Sequence, residues 1–122
     1  MIGYVMLGTN DLPRAALFYD AIAAELGVGR MMEFENSIAW GAPGGAAGVA
    51  VGKPWDGQPA SVGNGVMVAL EARDHAQVGR IHALALSLGG SCEGPPGPRG
   101  EGYYAGYFRD PDGNKLNAFV MG

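Results

Sequence analysis

Short apolar runs broken by glycine, and two longer runs of helical period, set out the elements of this chain. Gly3–Gly8 (Gly-Tyr-Val-Met-Leu-Gly) reads as a first strand. Asn10 or Asp11 can then cap a helix, because a short polar side chain satisfies the free amides of a first turn, and Pro13 fits that turn without loss. Ala15, Phe18, Ala21, Ile22 and Leu26 recur at three and four residues, which predicts a helix from Leu12 to about Leu26, stopped by Gly27. Three short strands are predicted over Arg30–Glu35, Ser37–Trp40 and Gly48–Val51. Lys53–Gly63 carries Pro54, Gly57, Pro59 and Gly63 and reads as a connector. Val66–Leu70 is a further strand. A second helix follows from Asp74 to near Leu88, with Val78, Ile81, Ala85 and Leu88 on one side and Gly89-Gly90 as its stop. Gly94–Pro98 reads as an irregular loop. Tyr103–Phe108 and Leu116–Val120 are the last strands, joined by a turn at Asp110-Pro111-Asp112-Gly113-Asn114.

The pattern repeats. At an offset of 63 positions Val5 falls on Val68, Leu7 on Leu70, Asp11 on Asp74, Phe18 on Ile81 and Gly27 on Gly90. The chain therefore divides into two βαβββ modules, residues 1–52 and 64–122, with residues 53–63 between them, forming one domain of residues 1–122. Two curved half-sheets of this kind predict an α+β fold with a cup-shaped mixed sheet and helices outside. A cup of that size suits a small ligand.

Composition narrows the function classes. Apolar residues make up 48% and charged residues 16%, as expected of a folded chain. Only 8 Lys and Arg are present and the net charge is −4, with no basic stripe, which excludes nucleic acid and anionic membrane as expected partners. The single Cys92 forms no internal disulfide and no thiolate zinc site, and with no leader or membrane-length apolar run visible it leads to the expectation of a cytoplasmic protein.

Three segments carry a likeness. Tyr4–Leu7 with Asp11-Leu12-Pro13-Arg14-Ala15-Ala16-Leu17-Phe18-Tyr19, the stretch Ile81–Gly90, and above all Phe108-Arg109-Asp110-Pro111-Asp112-Gly113-Asn114-Lys115-Leu116 resemble the vicinal oxygen chelate superfamily, that is, the glyoxalase, bleomycin resistance protein and dioxygenase family. The resemblance implies a divalent metal in the cup. It places the ligands on the first strand of each module, near the end of the first module, and on the last strand. In this chain those positions carry Tyr4, Met67, Gly48–Val51 and Asn117. A phenol, a thioether and an amide are a poor set for Zn²⁺, Ni²⁺ or Mn²⁺, so no metal cofactor is expected.

Strand alternation offers other occupants for the cup. Tyr4 and Met6 share a face; so do Tyr103 and Tyr107, and Asn117 lies with Phe119. In fosfomycin-resistance relatives a ligand-contacting tyrosine stands ten residues before the closing glutamate, and the resemblance places Tyr107 there. Trp40 and Trp55 are further candidates for the wall. The expected ligand-binding set is Tyr4, Met6, Trp40, Met67, Tyr103, Tyr107 and Asn117. Each has a plainer reading: the methionines as core filler, the tyrosines as cover for a sheet face, Trp40 as core. His82 reads as packing, His75 as exposed. Glu33 reads as a solvated residue or a base over the cup, and Arg99 as a loop residue or a contact for an anion. Three functions follow. The first is a metal-free homodimer that binds a small planar or apolar molecule, as bleomycin-resistance-type relatives do. The second is a lyase or isomerase of the lactoylglutathione lyase type, acting on a small carbonyl compound. The third is a structural or regulatory dimer.

Overall fold

The computed structural model describes residues 1–122. Its strands and helices run in the order β1 (Tyr4–Gly8), α1 (Leu12–Glu25), β2 (Gly29–Glu33), β3 (Ser37–Gly41), β4 (Gly48–Gly52), β5 (Val68–Glu71), α2 (His75–Ser87), β6 (Ser91–Pro98), β7 (Tyr103–Arg109) and β8 (Lys115–Met121). Two four-stranded mixed sheets result, ordered β1-β4-β3-β2 and β5-β8-β7-β6. Each module pairs its first strand in parallel with its last, and the other pairs are antiparallel. This is the α+β architecture expected from the internal repeat.

The helices start and stop for local reasons. The Asp11 carboxylate accepts the Arg14 amide, and Asp74 accepts that of Gln77, so each helix is capped by the aspartate that the repeat aligns. Past the end of α1, Gly27 takes φ +77°; past α2 that role falls to Gly89 at φ +95°, one residue earlier than the repeat suggests. Phe18, Ile22, Val78 and Ile81 turn inward from the helices onto Val51, Phe108, Leu116 and Ala118, in one apolar core shared by both modules. Gln77 ties the helices together by donating to the Glu25 carbonyl at 2.8 Å, and Arg80 pairs with the Glu25 carboxylate.

One prediction fails at Gly94–Pro98. The segment is not a loop but part of β6, where two register shifts between Cys92 and Gly97 let the Pro/Gly run follow β7. A second departure concerns the cup. No strand of one sheet is hydrogen-bonded to a strand of the other, and the backbones of the two modules come together chiefly at α1 and α2. The sheets are not closed, and β1 and β5 are both free edges.

The closing turn clamps the modules. Asp110 is buried, and its carboxylate accepts from Tyr19 Oη (2.6 Å) on α1, from the amides of Asp112 and Asn114, and from Asn114 Nδ2. Asn114 Nδ2 also donates to the Gly8 carbonyl (2.9 Å). Asp112 accepts from Thr9 Oγ1 (2.6 Å) and Arg14 Nη2 (3.1 Å). Burial, then the Asp110 charge, holds the Tyr19 phenol well above its ordinary pKa.

Candidate functional site

Register and burial sort each sheet into a face packed on a helix and an open face. In the first sheet Leu7, Ile38, Trp40, Val49 and Val51 pack on the helix side, and register puts half-buried Val5 on that side with them. The alternate residues form the open face. Its floor is made of small residues: Ser37, Ala39 and Gly41 on β3, and Gly48, Ala50 and Gly52 on β4. Methionines lie over that floor. A Cβ added at Gly52 would stand 3.1 Å from Met6 Sδ, and one at Gly41 would stand 2.6 Å from Met31 Sδ. Tyr4, Met6, Met31 and Met32 remain exposed on top. Small residues below and flexible thioethers above make a surface that can reshape around an apolar ligand.

The open face of the second sheet is aromatic and polar. Tyr107 pairs with Asn117 across β7 and β8, and Asn117 lies opposite Ala69 of β5. Tyr103 stacks on Phe119 with ring centroids 5.4 Å apart. Asn117 is 0% exposed beneath these rings; its Nδ2 donates to Tyr103 Oη at 3.0 Å, while its Oδ1 has no partner. A buried amide atom without a partner is costly, and a ligand group supplies one route to relief. Arg99 and Lys115 flank Tyr107, with the guanidinium carbon 5.5 Å and Nζ 5.6 Å from the ring centroid.

The expected residues thus divide. Tyr4 and Met6 share the first open face. Tyr103, Tyr107 and Asn117 are brought together on the second, with half-exposed Met67 just before β5. Within one chain these two groups do not meet. Trp40 requires correction: it is on the helix side of β3, 4% exposed, donating from Nε1 to Asp20 (2.7 Å) and packed 5.3 Å from the Tyr19 ring. Arg30 shares that carboxylate and holds it below the usual range. Glu33 is likewise not a base over a cup. A bulge between Arg30 and Met32 turns it to the helix side, where it pairs with Arg30 at 2.7 Å. Trp55 stands free in the connector. His82 is buried under β7 beside Gly106, and burial lowers its pKa. Exposed His75 stacks on Tyr104 at 3.9 Å. Sequence reasoning missed Lys115 and the methionines at 31 and 32. Lys115 shares parity with Asn117, so alternation alone could have found it.

The donors do not suit the family's metal. Tyr4 and Met67 offer a phenol and a thioether, Asn117 offers only a neutral amide oxygen, and Gly48–Val51 offers no side-chain donor. No three His, Cys, Asp or Glu side chains gather at one point. No helix is long and apolar enough to cross a membrane.

Comparison with known proteins fixes the class. The model of the Glyoxalase/Bleomycin resistance protein/Dioxygenase superfamily matches residues 1–118, and the chain belongs to that family. A glyoxalase/bleomycin resistance protein from Albidiferax ferrireducens T118 is 37% identical over 100% of this chain and 99% of its own, with a TM-score of 0.92. Two more distant structures share the fold. A glyoxalase-related enzyme from Fulvimarina pelagi is 20% identical, covering 98% of this chain and 87% of its own, at TM-score 0.77. A lactoylglutathione lyase from Agrobacterium tumefaciens is 20% identical, covering 98% and 92%, at TM-score 0.70. None of the curated proteins matches the chain.

Proposed function

We propose that this protein binds a small planar or apolar molecule, without the family's divalent metal, in a cup assembled by two copies of the chain. The open face of the first sheet of one copy forms one wall, and the open face of the second sheet of the other copy forms the facing wall. The observation that carries this reading is the separation of Tyr4 and Met6 from Tyr103, Tyr107 and Asn117 on two unjoined sheets. Each sheet ends on a free edge, β1 in one and β5 in the other, and the repeat makes those edges equivalent. An apolar groove of about 580 Å³ opens on the helix side between these edges, lined by Val5, Val49 and Trp40 of the first sheet, Ile22 of α1, and Val68 and Leu70 of β5. Free edges and an apolar seam both ask for cover. A second copy supplies it with the same two edges in exchange, as a twofold interface requires. The donor chemistry at Tyr4, Met67 and Asn117 supports the metal-free part.

Sizing by light scattering tests the assembly, and calorimetry with a panel of neutral planar aromatics tests the cup. A dimer that binds one probe per chain, with binding abolished by Met6→Glu on the exposed methionine face, is the expected result. A monomer at the concentrations used for binding, or a panel that binds equally to the Met6→Glu variant, overturns the reading. Elemental composition after dialysis against chelator checks the metal: one retained divalent ion per chain refutes that part.

A further inference from the structure

We infer that the cup selects planar carboxylates, through a cationic subsite built around Tyr107. This rests on the ligand-binding reading above and gives it a charge. The chain as a whole is acidic, with a net charge of −4, which would favour a cationic ligand. The open face of the second sheet has the opposite sign. Arg99 and Lys115 stand on either side of the Tyr107 ring. Arg109 lies two residues further along β7 on the same face. Against these three cations stand two carboxylates on or beside the strands, with exposed Glu101 in the turn beyond Arg99 paired to none of them. Glu93 accepts from Arg109 Nη2 at 3.0 Å and lies 4.0 Å from Lys115 Nζ. Glu71, opposite Phe119 at the end of β5, is within 4.0 Å of no cation. Arg99 pairs with no carboxylate. Its only partners are the carbonyls of Pro95 (2.6 Å) and Pro98 (3.2 Å), which hold the guanidinium over β6 but leave its charge unanswered.

The bulged Pro/Gly strand explains how that arginine is placed. Gly94 and Gly97 leave room for it: a Cβ on either would come within 3.2 Å of its terminal nitrogens. The open face of the first sheet carries Tyr4, methionines and small residues but no charge, so a facing copy adds apolar area and leaves the sign unchanged. A flat ring fits against Tyr103, Phe119 and the methionines, and a carboxylate at its rim meets Arg99 and Lys115. Charge-assisted hydrogen bonds of this kind are roughly twice as strong as neutral ones. Asn117, next to Tyr107, adds the buried amide. Because a tyrosine hydroxyl both donates and accepts, rotating the amide by half a turn keeps the Tyr103 contact and frees an N–H for the ligand.

The test compares three probes of one ring by calorimetry on the full chain: 2-naphthoate, 2-naphthamide and 2-naphthylmethylammonium. The carboxylate is expected to bind about tenfold tighter than the amide at low salt, with the ammonium weakest, and raising ionic strength should narrow the gap. Arg99→Gln together with Lys115→Gln should remove the preference for the carboxylate over the amide. Equal binding of carboxylate and amide, or a preference for the ammonium, overturns the anionic assignment while the ligand-binding reading stands. Failure of all three probes to bind overturns both.

Discussion

Replacing Tyr19 by phenylalanine removes one oxygen from the clamp between the modules and keeps the ring. The phenol donates 2.6 Å to a buried carboxylate, and its ring packs between Phe18 and Trp40. Loss of a hydrogen bond to a charged acceptor costs about 1.5–3 kcal/mol. Asp110 keeps its three other donors, from Asp112 and Asn114, so the low end of that range applies and no cavity term is added. A loss of about 1.5 kcal/mol lowers the Tm of a domain of this size by roughly 5 °C. Asp110→Ala is the harsher change. It strands the Tyr19 hydroxyl, two backbone amides and the Asn114 amide, and a broken buried network of this kind costs on the order of 3–5 kcal/mol. Urea denaturation followed by circular dichroism on the two single variants and the double variant gives the coupling directly, expected at about 1.5 kcal/mol. A coupling below about 0.5 kcal/mol, or a Tyr19→Phe variant as stable as the parent, refutes the clamp.

Tyr19 also predicts an alkaline limit. Its folded pKa lies above the ordinary 10.0, so the stability it contributes is full below pH 10 and is lost as pH rises beyond that; a Tyr19→Phe variant should show a shallower alkaline decline in melting scans. His82 predicts the reverse at acid pH. Its folded pKa is depressed by burial from 6.5, so stability falls as pH drops below that value, and His82→Met should flatten the melting temperature between pH 7.5 and pH 5. Gly90→Ala would place a Cβ 2.4 Å from the Arg109 carbonyl and 2.7 Å from that of Ala85, which predicts a loss of at least about 2 kcal/mol in chemical denaturation. Trp40→Phe should cost about 1–3 kcal/mol in chemical denaturation through the lost bond to Asp20, and a variant as stable as the parent would contradict that bond.

Much of the fold is written in local signals. Both helices follow from period and capping, and the first strand of each module from its alternation, because these depend on neighbours a few residues apart. The repeat makes the two sheets alike, while the parallel pairing of first and last strands joins residues more than forty positions apart and is seen only in the structure. What could not be read depends on distant partners or on broken parity. Gly94–Pro98 looks like a loop because prolines and glycines are poor strand formers; two bulges are what keep it on β7. A single bulge after Arg30 carries Glu33 away from the open face, and counting by twos cannot anticipate it. Trp40 shares parity with buried Ile38, which hints at the core, but its partner Asp20 lies twenty positions away. Tyr103, Tyr107 and Asn117 cluster because β7 and β8 are joined by a tight turn. Tyr4 and Met6 belong to the other module, and no sequence pattern shows which chain's sheet they face.

The short turn at Pro54-Trp55-Asp56-Gly57 closes on the bond from the Gly57 amide to the Pro54 carbonyl and projects Trp55 wholly into solvent. Little of the molecule's cohesion runs through it. The halves on either side are gripped by the helix pair and by Asp110, Asp112 and Asn114 instead. A protease that nicks this turn should therefore yield two fragments that migrate as one particle until denaturant parts them, and the same site is where a reporter domain can be spliced in at least cost to folding.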